Sequence, residues 1–199
     1  MELFDMFGFE IPKYGHLGLL MKIDEEGTRR KLSKRKDPEA AVSFYHEKGI
    51  PLMAVYKYLL TIANSNFEGW MDANPDASIY DFKFDFTKMS ASGSLFDIEK
   101  LYNISKNHIS RMKASDVYDE VVKYYEEFDP DFAKLISDNK EYTTNILNIE
   151  REQKKPRKDY ACWSDVKPSI YYMFDELFNP SEYEWMNITD KEEIKNILN

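Results

Sequence analysis

Apolar side chains recur at helical spacing through most of this chain, and few architectures accommodate that pattern. Residues 51–63, PLMAVYKYLLTIA, set Leu52, Val55, Tyr56, Leu59, Leu60 and Ala63 on one face of a helix. Val117, Val121, Tyr124, Tyr125 and Phe128 form a second stripe. Asp129-Pro130 opens another helix, carrying Phe132, Leu135 and Ile136. Tyr142, Ile146 and Ile149 follow, and then Ile170, Met173, Phe174, Leu177 and Phe178. Thr189 with Glu192 forms a capping box for a last helix bearing Ile194, Ile197 and Leu198. Upstream, Asp37 as N-cap, Pro38 in the first turn and Gly49 as a stop predict a helix over 38–48. Glycine is scarce, with 7 in 199 residues, so the expectation is a mainly α protein whose aromatic and methionine stripes are core.

Two segments depart from this pattern. Residues 17–32 place apolar runs on either side of a Glu-Glu-Gly turn, which predicts a small β-hairpin leading into a basic loop. Residues 64–96 are rich in Asn, Asp, Ser and Gly, with an alternating FKFDF, and read as irregular with one or two short helices. Beyond residues 112–116 the pattern becomes antiparallel helices with short loops, which predicts a boundary there.

Several classes of function are disfavoured by composition. The single Cys162 excludes an internal disulfide framework, and His16, His46 and His108 form no close cluster with it, so no zinc site is expected. No apolar run approaches the roughly 18 residues of a membrane span, and MELFDMFGFE lacks a basic, signal-like start. A soluble cytoplasmic protein with no membrane partner is the expectation.

Charge placement says more than its sum. The net charge is −9, yet six of the 27 Lys and Arg lie in RRKLSKRK (29–36) and five in REQKKPRK (151–158). Two basic patches on an acidic body would steer phosphates to chosen places and repel them elsewhere. Charge alone leaves a second reading open, in which both are solvated turns between helices.

Lys31-Leu32-Ser33-Lys34-Arg35 resembles the KMSKS signature of class I aminoacyl-tRNA synthetases, in the KLSKR form of bacterial glutamyl-tRNA synthetases. The flanks extend the likeness. FGFEIPKYGHLGLLMKIDEEGTRRKLSKR resembles that family's approach to the loop, and KRKDPEAAVSFYHEKGIPLMAVYKYLLTIA its helix–turn–helix after it. SGSLFDIEKLYNISKNHI resembles the later Phe-Asp-x-x-Lys-Leu segment, although Ser105 stands where the family usually carries asparagine. The likeness is close over residues 4–110 and looser beyond.

The resemblance implies an architecture and a site. Residues 1–36 would be the end of the catalytic domain with its hairpin and KMSKS-type loop, 37–115 the stem-contact helical domain, and 116–199 an incomplete helical anticodon-binding region. Lys34 would be the main phosphate-contacting residue, with Lys31 as the second catalytic lysine. Lys31, Leu32, Ser33 and Lys34 would together bind ATP, Lys31 and Ser33 shaping the loop and the Leu32 backbone lying near the adenine. Arg29, Arg30, Arg35 and Lys36 would place the loop or touch the tRNA backbone. Lys154, Lys155 and Arg157 would touch tRNA too, or form a basic interhelix turn. ATP with Mg2+, L-glutamate and tRNA(Glu) are the implied substrates, with tRNA(Gln) left open, no metal held by the chain itself, and a monomer.

Gly15-His16-Leu17-Gly18 is superficially similar to the other class I signature, HIGH. That motif lies far upstream of the lysine loop, and the interval between His16 and Lys31 is too short for the intervening nucleotide-binding fold. His16 is therefore read as structural, with a role near the nucleotide left open, and the chain as lacking the Rossmann half and inactive by itself. A free-standing, non-catalytic tRNA-binding module is the rival reading. A fragment of a glutamine-specific ligase fits less well, because β-barrels are expected at the end of that relative and the pattern here is helical.

Overall fold

A computed structural model describes residues 2–14, 16–89, 92–178 and Glu192. Among them the order is α1 (Glu2–Met6), β1 (Leu20–Ile23), β2 (Arg29–Lys31), α2 (Val42–Lys48), α3 (Leu52–Ala63), α4 (Phe67–Ala73), β3 (Ser94–Leu95), α5 (Ile98–Arg111), α6 (Ala114–Phe128), α7 (Pro130–Asp138), α8 (Lys140–Leu147) and α9 (Val166–Ile170). The fold is mainly α, as the stripes require. The capping box at Thr189 and the last helix lie outside the described residues, apart from Glu192.

The expected hairpin forms, with β1 and β2 antiparallel and Met21 opposite Lys31. Asp24 turns it: its carboxylate accepts the Glu26 and Thr28 amides at 3.1 and 2.8 Å. A third strand that the residue pattern did not announce, β3, pairs parallel with β1. Two residues of strand are too few to leave a periodic signal. FKFDF builds an aromatic cluster instead of a ladder, with Phe82 packed on Phe67 and Trp70 at 5.0 and 5.3 Å between centroids.

The helix expected over 38–48 is broken. Pro38–Ala40 make a single 3-10 turn, Ala41 is extended at φ −100° and ψ 139°, and α2 starts only at Val42. Asp37 makes no cap, because its carboxylate is turned back toward the basic loop. Gly49 does stop α2, in the left-handed region at φ 67°.

Two cores result. The first gathers Ile50, Ala54, Tyr58, Phe96, Leu101 and Ile104, where α3 crosses α5. Asp97 caps α5 by accepting the Glu99 and Lys100 amides, and its own amide donates to Tyr58 Oη at 2.6 Å. The Phe-Asp pair therefore supplies one core ring and one helix start. The second core lies among α6, α7, α8 and α9, around Val121, Tyr125, Phe132, Ile136 and Val166. The stripe over 170–178 is not one helix: α9 ends at Ile170, a 3-10 turn follows, and Phe174 is extended and buried. There its ring meets Tyr142 at 5.5 Å.

The cores are stitched together at the end of α2. A helix leaves its last carbonyls without intrahelical donors. Here Tyr124 Oη donates to Glu47 O at 2.8 Å, Ser164 Oγ to Lys48 O at 2.9 Å and the Trp163 amide to Gly49 O at 2.8 Å. Ala161 and Cys162 cross into the first core, where Ser105 Oγ donates to Ala161 O at 2.6 Å.

Candidate functional site

β2 delivers the basic loop and the first core anchors it. Lys31 ends the strand, the Leu32 amide donates to Leu20 O at 2.9 Å, and the Leu32 side chain packs on the core. The chain then turns tightly, with the Lys36 and Asp37 amides donating to Ser33 O at 3.0 and 2.8 Å.

One carboxylate holds this turn. Asp37 is 1% exposed. Both its oxygens accept from Arg30, Nη1 and Nη2 each at 2.7 Å, and Oδ2 also accepts the Ser33 amide at 2.8 Å. Lys22 lies 3.4 Å away and pairs also with buried Glu39. A burial that would raise a carboxyl's pKa is overcome by these donors, with Arg30 the largest contributor, so Asp37 stays far below the usual carboxylate range. Hydrogen bonding to Glu39 raises Lys22 correspondingly. The result is a loop fixed from inside.

What the loop displays is charge. Lys31, Lys34, Arg35 and Lys36 are exposed, and none of their side chains makes an ion pair among the described residues. They line, with Leu32 and Ser33, one wall of an open groove of about 1260 Å³. Leu52, Val55, Tyr56 and Leu59 of α3 form the facing apolar wall. Compact, mobile ammonium groups beside a rigid backbone suit contact with phosphate oxygens. Arg30 is spent on Asp37, and Arg29 donates to Gly93 O at 2.7 Å. His16 is exposed and is not among the residues lining the groove. Among the described residues no group of acidic, Cys and His side chains could hold a metal ion.

The second basic run divides. Arg151 is buried and donates to Leu147 O, Ile109 O and Met112 O at 2.9, 2.5 and 3.3 Å, tying α5 to α8. Arg157 pairs with Asp159 at 2.6 Å. Lys154 and Lys155 are exposed. A shallow depression brings Lys154 beside Arg111 and Lys113, two basic residues that reading the run alone missed because they belong to α5 and its end. Asp37 was missed as a loop anchor, although an acid directly following a basic run was a visible signal.

No family model matches the chain. It is 46% identical over 188 residues to the glutamate–tRNA ligase of Clostridium beijerinckii, covering 94% of this chain and 34% of that protein. It is 44% identical over 201 aligned positions to that of Clostridium perfringens strain 13, covering 100% of this chain and 37% of the relative. The solved structure of a glutamate tRNA ligase from Elizabethkingia meningosepticum shares the fold, at TM-score 0.61 and 18% identity, over 98% of this chain and 37% of that one. The chain thus spans about a third of the length of the relatives it matches, in their C-terminal part. Together these likenesses match the chain, with its anchored KLSKR loop, to the C-terminal third of glutamate–tRNA ligases.

Proposed function

We propose that the chain serves as the phosphate-contacting and tRNA-facing part of a ligase that activates glutamate with ATP and transfers it to tRNA(Glu). In the activation step a glutamate carboxylate oxygen attacks the α-phosphorus of MgATP, the bond to the β-phosphate bridge breaks, and pyrophosphate leaves. Negative charge accumulates on the leaving group, and Lys34, assisted by Lys31, stabilises it there. Ser33 and the Leu32 backbone hold the turn against the nucleotide. The observation that carries this reading is the Asp37–Arg30 anchor, which makes the KLSKR backbone rigid while leaving Lys34 free to reach.

The downstream helices take the tRNA, with residues 37–115 against the acceptor stem and 116–199 toward the anticodon. Arg35 and Lys36 meet backbone phosphates beside the loop, and Lys154, Lys155 and Arg157 meet them further along. The enzyme works as a cytoplasmic monomer. The relatives named above are glutamate–tRNA ligases, which favours this reading over a free-standing binding module or a glutamine-specific enzyme.

The test is a joined ligase, in which this chain replaces the matching C-terminal part of the Clostridium beijerinckii protein. It should support glutamate- and tRNA-dependent pyrophosphate exchange and charge tRNA(Glu). The chain alone should show only background exchange, because phosphate-contacting lysines cannot by themselves hold carboxylate and ATP in attack geometry. A joined protein that folds but neither exchanges nor charges would refute the reading.

A further inference from the structure

One cavity lies away from the basic loop, where α5, α8 and α9 meet the segment that follows α8. It measures about 170 Å³ and is lined by three cationic side chains, Lys106, Arg151 and Arg157, and one acid, Asp159. Arg157 already occupies that acid, its Nε donating to Asp159 at 2.6 Å. Arg151 is 9% exposed, and among the described residues it pairs with no carboxylate. Its Nε and Nη1 are spent on the carbonyls of Leu147, Ile109 and Met112, while Nη2 makes no bond among those residues. Burial pushes the pKa of this guanidinium below its ordinary value. Buried arginines are as a rule paired, because a desolvated charge is costly without an opposite one.

Two more donors line the cavity and have no partner among the described residues. Lys106 is half-buried and makes no ion pair. Tyr160 is 8% exposed, and its hydroxyl makes no hydrogen bond. We propose that this cavity binds a small oxyanion of the phosphate class, held by Arg151 from α8's side, Lys106 from α5 and Tyr160 between them.

The charges select a dianion. Three cations face one carboxylate, and that carboxylate is taken, so two positive charges remain to be met. Guanidinium, ammonium and phenol groups are all donors, and a tetrahedral oxyanion offers acceptors in every direction. Space suits it as well: a water needs only about 10–15 Å³ of such volume, so a phosphate fits with water beside it. Its binding would fasten α5 to the segment after α8, adding to the tie that Arg151 makes. No residue of the KLSKR groove lines this cavity, so the proposal stands apart from the ligase reading.

The test is thermal melting of the chain in sodium phosphate against sodium chloride, at matched ionic strength and neutral pH. Phosphate should raise Tm along a saturating curve, by about 3 °C or more at about 20 times the half-saturating concentration. Exclusion of phosphate from the protein surface also stabilises, but it acts on any variant alike. Lys106→Ala and Tyr160→Phe spare the carbonyl bonds of Arg151, so both should fold. Each should weaken phosphate binding by about fivefold or more, the worth of one hydrogen bond. In NMR spectra the Arg151 Nε–H resonance should shift along the parent's curve; should a variant fail to fold, that resonance decides. Acetate, with a single charge, should bind at least about tenfold more weakly. A phosphate response no larger than chloride's, an equal response in both variants, or an unmoved Arg151 resonance would overturn the proposal. Acetate binding as tight as phosphate would overturn the choice of a dianion. Loss of tRNA(Glu) affinity in the variants, without any response to phosphate, would give the cavity to nucleic acid and overturn it too.

Discussion

Asp37 receives both guanidinium nitrogens of Arg30 at 2.7 Å from a position only 1% exposed, and the same carboxylate accepts the Ser33 amide. The strand before the KLSKR turn and the turn itself are thus held by one side chain. Fork-to-carboxylate pairing fixes direction as well as distance, so the clamp sets where Lys34 starts its reach. Lysine at position 30 could not make both bonds.

Asp37→Asn should loosen the loop and destabilise the fold. One acceptor for Arg30 is replaced by an amide N–H that opposes the guanidinium, and a buried bond is lost, a change of about 1–3 kcal/mol in urea melts. The pH dependence follows from the depressed pKa of Asp37. A carboxyl held below its unfolded value stabilises the protein above that value, about 3.9. The contribution is lost as pH falls further toward the folded value. Stability should therefore drop from about pH 5 downward in the parent, and less steeply in the variant. Equal slopes in both would show that the clamp carries none of it.

Lys34→Ala in the joined ligase should slow adenylate formation by about 10² to 10³-fold, the size of one transition-state contact. Lys36→Ala should cost little, since it lies outside the KLSKR signature and is exposed. Single-turnover activation separates this rate from ATP binding. Parental activation by Lys34→Ala, or a larger defect in Lys36→Ala, would count against the assigned roles.

Arg151 and its neighbours should behave oppositely. Arg151→Ala removes three bonds to backbone carbonyls and opens a buried gap between α5 and α8. A loss of about 2–4 kcal/mol is expected by urea denaturation. Lys154→Ala with Lys155→Ala should leave stability within about 0.5 kcal/mol. The same pair should flatten the salt dependence of tRNA affinity, which filter binding across a salt series would measure. If the salt slope is unchanged, the run is only an interhelix turn.

Gly49→Ala should be costly for two separate reasons. Its φ of 67° suits glycine, and an added Cβ would sit 2.7 Å from the Tyr124 ring and 2.9 Å from Trp163 Cβ. We expect a loss of about 2–4 kcal/mol, because strain and overlap add at one position. Tyr124→Phe, which removes the bond to Glu47 O and keeps the ring, should cost about 1 kcal/mol. A Gly49→Ala protein as stable as its parent would mean that the junction between the cores yields readily.

The sequence by itself determined that most of the chain is helical and set a few of the helix ends, because apolar spacing, Asp129-Pro130 and Gly49 act over one or two turns of chain. It also located the basic loop, whose residue types stand in a row, and the short turn ahead of it. The tertiary structure decided which face of each helix is core. The stripe of α3 satisfies helical periodicity as well as that of α6 does, yet Val121 is buried and Leu59 faces the groove. Periodicity records that a face is apolar and carries no information about what covers it. The breaks at Ala41 and after Ile170 were likewise out of reach. At the first, Asp37 turns toward Arg30 instead of capping a helix, and at the second Phe174 meets Tyr142 across the second core. The division of REQKKPRK followed the same rule: Arg151 is enclosed because two helices distant in sequence present their carbonyls to it, while Lys154 stays in water. Bonds between residues far apart along the chain decide such matters, and a local pattern does not encode them.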